Sequence, residues 1–161
     1  KKKMAASVRT RSVLFVCLGN ICRSPMAEAV LTHMVKQKGL SAQWHIDSAA
    51  LANWHIGLGP DSRALQVLER ENVDYQHIVR QVTKDDYRKF EVIFGMDHDN
   101  IRTLTQKAPK DSTAEIKLLG EYDPKKELII EDPYYICLIT QSFFSLIHYS
   151  SIQILGTVYS I

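Results

Sequence analysis

The chain has 161 residues, of which 45% are hydrophobic and 24% charged, the balance of one soluble globular domain large enough to bury a core. A net charge of +2, with the basic residues spread along the chain, gives no footing for a nucleic-acid binder. Three cysteines, two of them within one short stretch, do not make an extracellular disulfide framework and favour a reducing, cytoplasmic setting.

Lys1, Lys2, Lys3, Arg9 and Arg11 make a basic start, read as a flexible tail over 1–11, and no signal-peptide pattern precedes the first apolar run. Val13, Leu14, Phe15 and Val16 then read as a buried strand, and Ser24-Pro25 opens a helix, because proline suits a first turn whose N–H groups have no intrahelical partner. Between them lie Cys17, Leu18, Gly19, Asn20, Ile21, Cys22 and Arg23. A loop at a strand tip, feeding a helix N-terminus, can turn its backbone N–H groups inward as a cup for a phosphate-sized anion. That field also favours a thiolate at Cys17, the form that attacks, and Arg23 can fork two N–H groups onto a phosphoryl group. The Cys-to-Arg spacing alone is a weak signal, and the strand before it, the Gly-Asn inside it and the Ser-Pro after it give it weight.

Downstream, Met26, Ala29, Val30, His33, Met34 and Val35 recur at helical spacing, and Gly39 ends that helix. Residues 43–49 alternate as a strand, 61–71 carry Leu65, Val67 and Leu68 on one helical face, and Thr83 with Asp85 and Asp86 opens another short helix. Residues 91–96 read as a buried strand, 98–107 as a helix and 115–119 as a last strand. Repeated strand–helix units predict an α/β fold of three layers, a four-stranded parallel twisted sheet with helices on both faces, in which ligands sit at the carboxyl ends of the strands.

The segment from Val16 to Ala29, together with Ile46-Asp47-Ser48-Ala49-Ala50, Asn53-Trp54-His55-Ile56-Gly57, His77 to Gln81, Met96-Asp97 and Ile129 to Tyr135, resembles the low-molecular-weight protein tyrosine phosphatases in order along the chain. The resemblance covers about 12–135, the expected phosphatase domain, and implies a four-stranded parallel sheet, a cysteinyl-phosphate mechanism and a cytoplasmic enzyme. It marks Asp132, in Glu131-Asp132-Pro133, as the general acid, and Pro133 restricts Asp132 to extended backbone. It also ties Asn20 down by hydrogen bonds from the positions of Ser48 and His77, both supports of loop shape. Asn20 suits a sharp turn because Asn tolerates left-handed backbone. Ser24 has two readings that can hold together, as a donor to the Cys17 sulfur and as the helix N-cap. Cys22 serves the loop, and two sulfurs in one curled loop can trap an oxidised Cys17 as a disulfide, a protection that the resemblance also implies.

Leu18, Ile21, Trp54 and Tyr134, with Tyr135 as a further candidate, are expected to form an apolar, aromatic slot suited to a phenyl ester, with Trp54 at the exposed rim. The partners expected are phosphotyrosine-containing proteins and small aryl phosphates, with a monomer, no nucleic acid and no cofactor. The six histidines show no metal-ligand spacing, and Asp97, His98 and Asp99 read as an acidic helix start. Tyr134 and Tyr135 match positions that are phosphorylated in the family. Residues 136–161 depart from the family pattern and carry none of the chain's 20 Lys and Arg or 18 Asp and Glu. Ile136, Ile139, Phe143, Leu146 and Ile147 suggest a helical stripe, a substitute packing helix, while 151–159 read more as strand. Ten polar residues interrupt the tail and disfavour a membrane span. Thioredoxin-coupled arsenate reductases share the cup, but the absence of cysteine between Cys22 and Cys137 removes their redox pair. A weak isoform acting as a phosphotyrosine-binding module is the remaining alternative.

Overall fold

The computed structural model describes residues 10–133 and 141–159. In chain order the elements are β1 (Arg11–Cys17), α1 (Arg23–Gln37), β2 (Trp44–Ala50), α2 (Ser62–Arg70), α3 (Asp86–Lys89), β3 (Val92–Gly95), α4 (His98–Lys107), β4 (Glu115–Leu118) and α5 (Gln141–Tyr159). The four strands form one parallel sheet in the order β2-β1-β3-β4. Arg11, assigned to the tail by sequence, is the first residue of β1 and pairs with Trp44.

β1 is central, and its apolar run follows from being covered on both faces. Val13, Phe15 and Cys17 face one way, into a core with Met26, Val30 and Leu31 of α1, Val67 and Leu68 of α2, and Ile147 and Ile154 of α5. Leu14 and Val16 face the other, toward Tyr87 of α3, Phe90 just after it and Leu104 of α4. Helices on both faces make the three layers. Strand order reverses around β1, so the carboxyl end of that strand, where Cys17 stands, lies at the topological switch point where α/β sheets bind ligands.

The tail differs from expectation. Residues 151–159 continue α5 as helix, not strand. Phe144, Ile147, Ser150, Ser151, Ile154 and Leu155 are buried at intervals of three and four, so packing against α1 and the turn at Leu119–Tyr122 outweighs the local β preference of Ile, Val and Tyr. In the proposed stripe Ile147 is buried and Leu146 packs beside it, whereas Ile136 and Ile139 lie outside the described residues. Among the described residues no helix is long and apolar enough to cross a membrane.

Candidate active site

The cup is built from the backbone upward. β1 delivers Cys17, and the loop then turns at Asn20, whose φ of 54° is left-handed. The Asn20 N–H points back at the Cys17 sulfur at 3.3 Å. Ser24 Oγ lies 3.0 Å from the same sulfur and accepts from Asn20 Nδ2 at 2.8 Å, which leaves its own proton for the sulfur. The N-cap reading of Ser24 is overturned, since Cys22 occupies the cap position and Ser24 lies inside the first turn of α1. Loop shape takes precedence over capping because the hydroxyl is consumed by Asn20 and Cys17.

Asn20 is fully buried, and its amide is held from three sides. Besides Ser24, Nδ2 donates to Ser48 Oγ at 2.9 Å, and His77 Nε2 donates to Oδ1 at 2.7 Å. Ser48 and Tyr75 in turn donate to Glu28 Oε2, each at 2.6 Å, with His77 Nδ1 at 3.4 Å from the same oxygen. Burial pushes the Glu28 carboxyl up to about 7 against those hydrogen bonds, and burial also holds His77 below its ordinary value. Burial thus disfavours charge on both groups, raising the carboxyl and lowering the imidazole. Sequence reasoning missed Glu28 and Tyr75. A lone carboxylate between Ala27 and Ala29, both buried, was the available signal.

Arg23 has 3% of its side chain exposed. Nη1 donates to Asp97 Oδ2 at 2.6 Å and to the Ile130 carbonyl at 3.1 Å, and Nη2 donates to Asp132 Oδ2 at 2.7 Å. Burial works against its charge, but Cys17, Asp97 and Asp132 outweigh that and hold it above its ordinary value. Asp97 is the N-cap of α4, accepting from Asn100 N at 2.7 Å. The acidic-helix-start reading of Asp97 therefore described only half of its work.

The segment that carries Asp132 is pinned along its length. The buried Asp123 carboxylate accepts from the N–H groups of Lys125 and Glu127 at 2.9 and 3.0 Å, and Ile130 N donates to the Met96 carbonyl at 2.9 Å. Gly120 lets the segment pass close by, since a Cβ there would stand 2.3 Å from the carbonyl oxygens of Glu127 and Leu128.

Cys17, Leu18, Gly19, Ile21, Cys22, Arg23, Trp54, His55 and Asp132 line one cavity of about 250 Å³. Trp54 is 66% exposed at its rim, and a Cβ on Gly19 would come within 3.2 Å of the His55 ring. Cys22 is buried, and desolvation, with Asp61, Cys17 and Asp132 adding to it, pushes its thiol up to about 12. Tyr134 and Tyr135 lie outside the described residues. Of possible metal ligands, Glu28, Asp47 and His77 offer donor atoms within 4.8 Å of one another. Asp47 is paired with Arg80 at 2.8 Å and Glu28 with Ser48 and Tyr75, so these groups form a bonded support for the loop.

Residues 12–152 match the family model described as low molecular weight phosphotyrosine protein phosphatase. A protein of that name from Sus scrofa is 51% identical over 128 residues, which cover 78% of this chain and 81% of that one. A tyrosine phosphatase from Entamoeba histolytica superposes with a TM-score of 0.84 at 30% identity over 92% of this chain and 97% of that one. A Drosophila arginine phosphatase does so at 0.86 and 38% identity over 92% and 98%.

Proposed function

The chain belongs to the low molecular weight phosphotyrosine protein phosphatase family, and from that footing we propose that it hydrolyses phosphotyrosine and small aryl phosphates through a cysteinyl-phosphate intermediate. The supporting observation is one cavity that holds the Cys17 sulfur, hydrogen-bonded by Ser24 and the Asn20 N–H, together with Arg23 and Asp132.

The Cys17 thiolate attacks phosphorus as the bond to the phenolic oxygen breaks, and Asp132 gives that oxygen its proton. The Asp132 carboxylate then takes a proton from water attacking the phosphocysteine, which releases phosphate and the thiolate. Arg23 stays anchored through Nη1 to Asp97 and Ile130, so Nη2 is the arm that turns from Asp132 to a phosphoryl oxygen. Arg23 and the loop N–H groups supply the positive charge for the transition state, so the mechanism is metal-independent. One chain holds the whole cup, which suits a monomer, and the free Cys17 and Cys22 suit a reducing cytoplasm.

Hydrolysis of p-nitrophenyl phosphate at mildly acid pH with chelator, compared between the native chain and Cys17→Ser, tests this. Turnover lost only in the variant supports the reading; binding of phosphate analogues by the native chain without turnover assigns it to a phosphotyrosine receptor. Phosphoarginine belongs in the same assay because of the Drosophila relative. The apolar slot between Leu18, Ile21 and Trp54 favours the phenyl ring.

A further inference from the structure

Trp54, Ile56, Leu58 and Ile78 are 66%, 50%, 57% and 66% exposed, although each is a residue type that ordinarily fills a core. Single exposed apolar side chains need no explanation, whereas a cluster beside a binding cavity does. The backbone brings the last three together. Gly57 N donates to the Val79 carbonyl and Val79 N to the Leu58 carbonyl, both at 2.9 Å, so the segment bearing Ile56 and Leu58 runs edge to edge with the one bearing Ile78.

This surface is fastened to the cup itself. Leu51 N donates to the Cys17 carbonyl at 3.0 Å, Ala52 N to the Leu18 carbonyl at 2.9 Å, and Asp61 N to the Ile21 carbonyl at 2.8 Å. Both ends of the 51–61 loop are thus held by the residues that form the cavity wall. Trp54 belongs to both places, since it lines the cavity and begins the exposed patch. No Asp, Glu, Lys or Arg occurs between Asp47 and Asp61, so the loop itself brings no charge to the rim, and a charged flank lying on Ile56 and Leu58 would lose hydration against apolar side chains.

We propose that Ile56, Leu58 and Ile78, continuing outward from Trp54, form a docking surface for apolar side chains that flank the phosphotyrosine of a substrate polypeptide. This rests on the phosphatase reading and adds the class of protein substrate to it. The cup binds the phosphoryl group and ring, and the surface selects among sequences by burying apolar area. Small aryl phosphates never reach it.

The test uses phosphotyrosyl peptides that are identical except for Leu or Ile against Glu or Lys at the positions flanking the phosphotyrosine. In the native chain the apolar peptides should give the higher kcat/KM, by about tenfold and through KM. In a Leu58→Glu/Ile78→Glu variant the preference should disappear while p-nitrophenyl phosphate keeps its kcat/KM within twofold. Peptide Kd measured on Cys17→Ser reads the same preference without turnover. The phosphatase reading fails if the native chain hydrolyses neither p-nitrophenyl phosphate nor any peptide. The docking surface fails separately if apolar and charged peptides bind Cys17→Ser alike, or if the double variant retains the preference. Concentration-dependent self-association that the double variant abolishes, with no peptide preference, would overturn the proposal in favour of a second copy of this chain.

Discussion

Arg23 and Asp132 share a 2.7 Å ion pair, in which the guanidinium is 3% exposed and the carboxylate 24%. In the proposed mechanism, with Asp132 as general acid and Arg23 as the phosphoryl-binding group, this pair must part before the phosphoryl group is held. Asp132→Ala should lower kcat by roughly 10²- to 10⁴-fold, the usual range for a lost general acid, with the larger effect on phenyl phosphate, whose leaving group depends more on the proton. Vanadate or phosphate should bind the variant as tightly as the native chain or a few-fold more tightly, because Arg23 Nη2 no longer has to leave a carboxylate. Kinetics paired with calorimetric Kd checks both halves, and unimpaired kcat would remove Asp132 from the mechanism.

Asp97 separates two duties by substitution. Asp97→Asn keeps an oxygen for the Asn100 N–H and loses the charge opposite Arg23, while Asp97→Ala loses both. Thermal unfolding should show about 1 kcal/mol of cap stability lost in Asp97→Ala and little in Asp97→Asn. Both variants should bind phosphate analogues less well, since Arg23 Nη1 loses a charged anchor. Equal stability of the two variants would show that the cap carries no weight here.

Cys22 is held as a thiol by burial, with Asp61 next in effect. Mass spectrometry after iodoacetamide treatment at pH 7 to 8 should find Cys22 unmodified, including in Cys17→Ser. Peroxide followed by dithiothreitol should restore the native chain, and Cys22→Ser should recover much less. Trapping should accelerate as pH rises, because the Cys22 thiolate must form before it attacks an oxidised Cys17. Recovery that is identical in the two proteins would end the protective reading.

The sheet was legible because β1 repeats apolar residues without interruption and β1, β2, β3 and β4 alternate with helical segments. Cys17, Arg23, Asn20 and Ser24 were legible because loop chemistry at a strand tip restricts which residues serve. Asp97 was only half legible, since a helix cap and an arginine partner leave the same trace in sequence. Glu28 and Tyr75 left almost none, as each acts through contacts from distant segments, with |i−j| of 47 between them. The end of α5 was misread because Ile152, Ile154, Val158 and Tyr159 favour strand locally, and the helix exists through what it packs against.

Glu28 makes stability depend on pH. Its carboxyl is raised from 4.5 to about 7 in the folded chain, so between those values the folded state holds more protons than the unfolded one, and stability falls as pH rises. Burial of this magnitude corresponds to a loss on the order of 3 kcal/mol across the window. Glu28→Gln keeps an acceptor for Ser48 and Tyr75 and should flatten the slope between pH 4.5 and 7 in denaturant titrations. An unchanged slope would mean that Glu28 titrates normally.

Gly120 gives the acid segment its path. A methyl group there would clash with two backbone carbonyl oxygens, Glu127 O and Leu128 O, so the segment must move away from residue 120 and not merely repack a side chain. The displacement passes along the chain toward Ile130 and Asp132, whereas Cys17, Asn20, Ser24, Ser48 and His77 are held by hydrogen bonds to one another. Gly120→Ala should therefore lower kcat at least tenfold, with phosphate-analogue Kd changed much less. The kcat loss should be larger for phenyl phosphate than for p-nitrophenyl phosphate, as for Asp132→Ala. A uniform loss across both substrates, or analogue binding that collapses with kcat, would place the damage in the cup and contradict this role for Gly120.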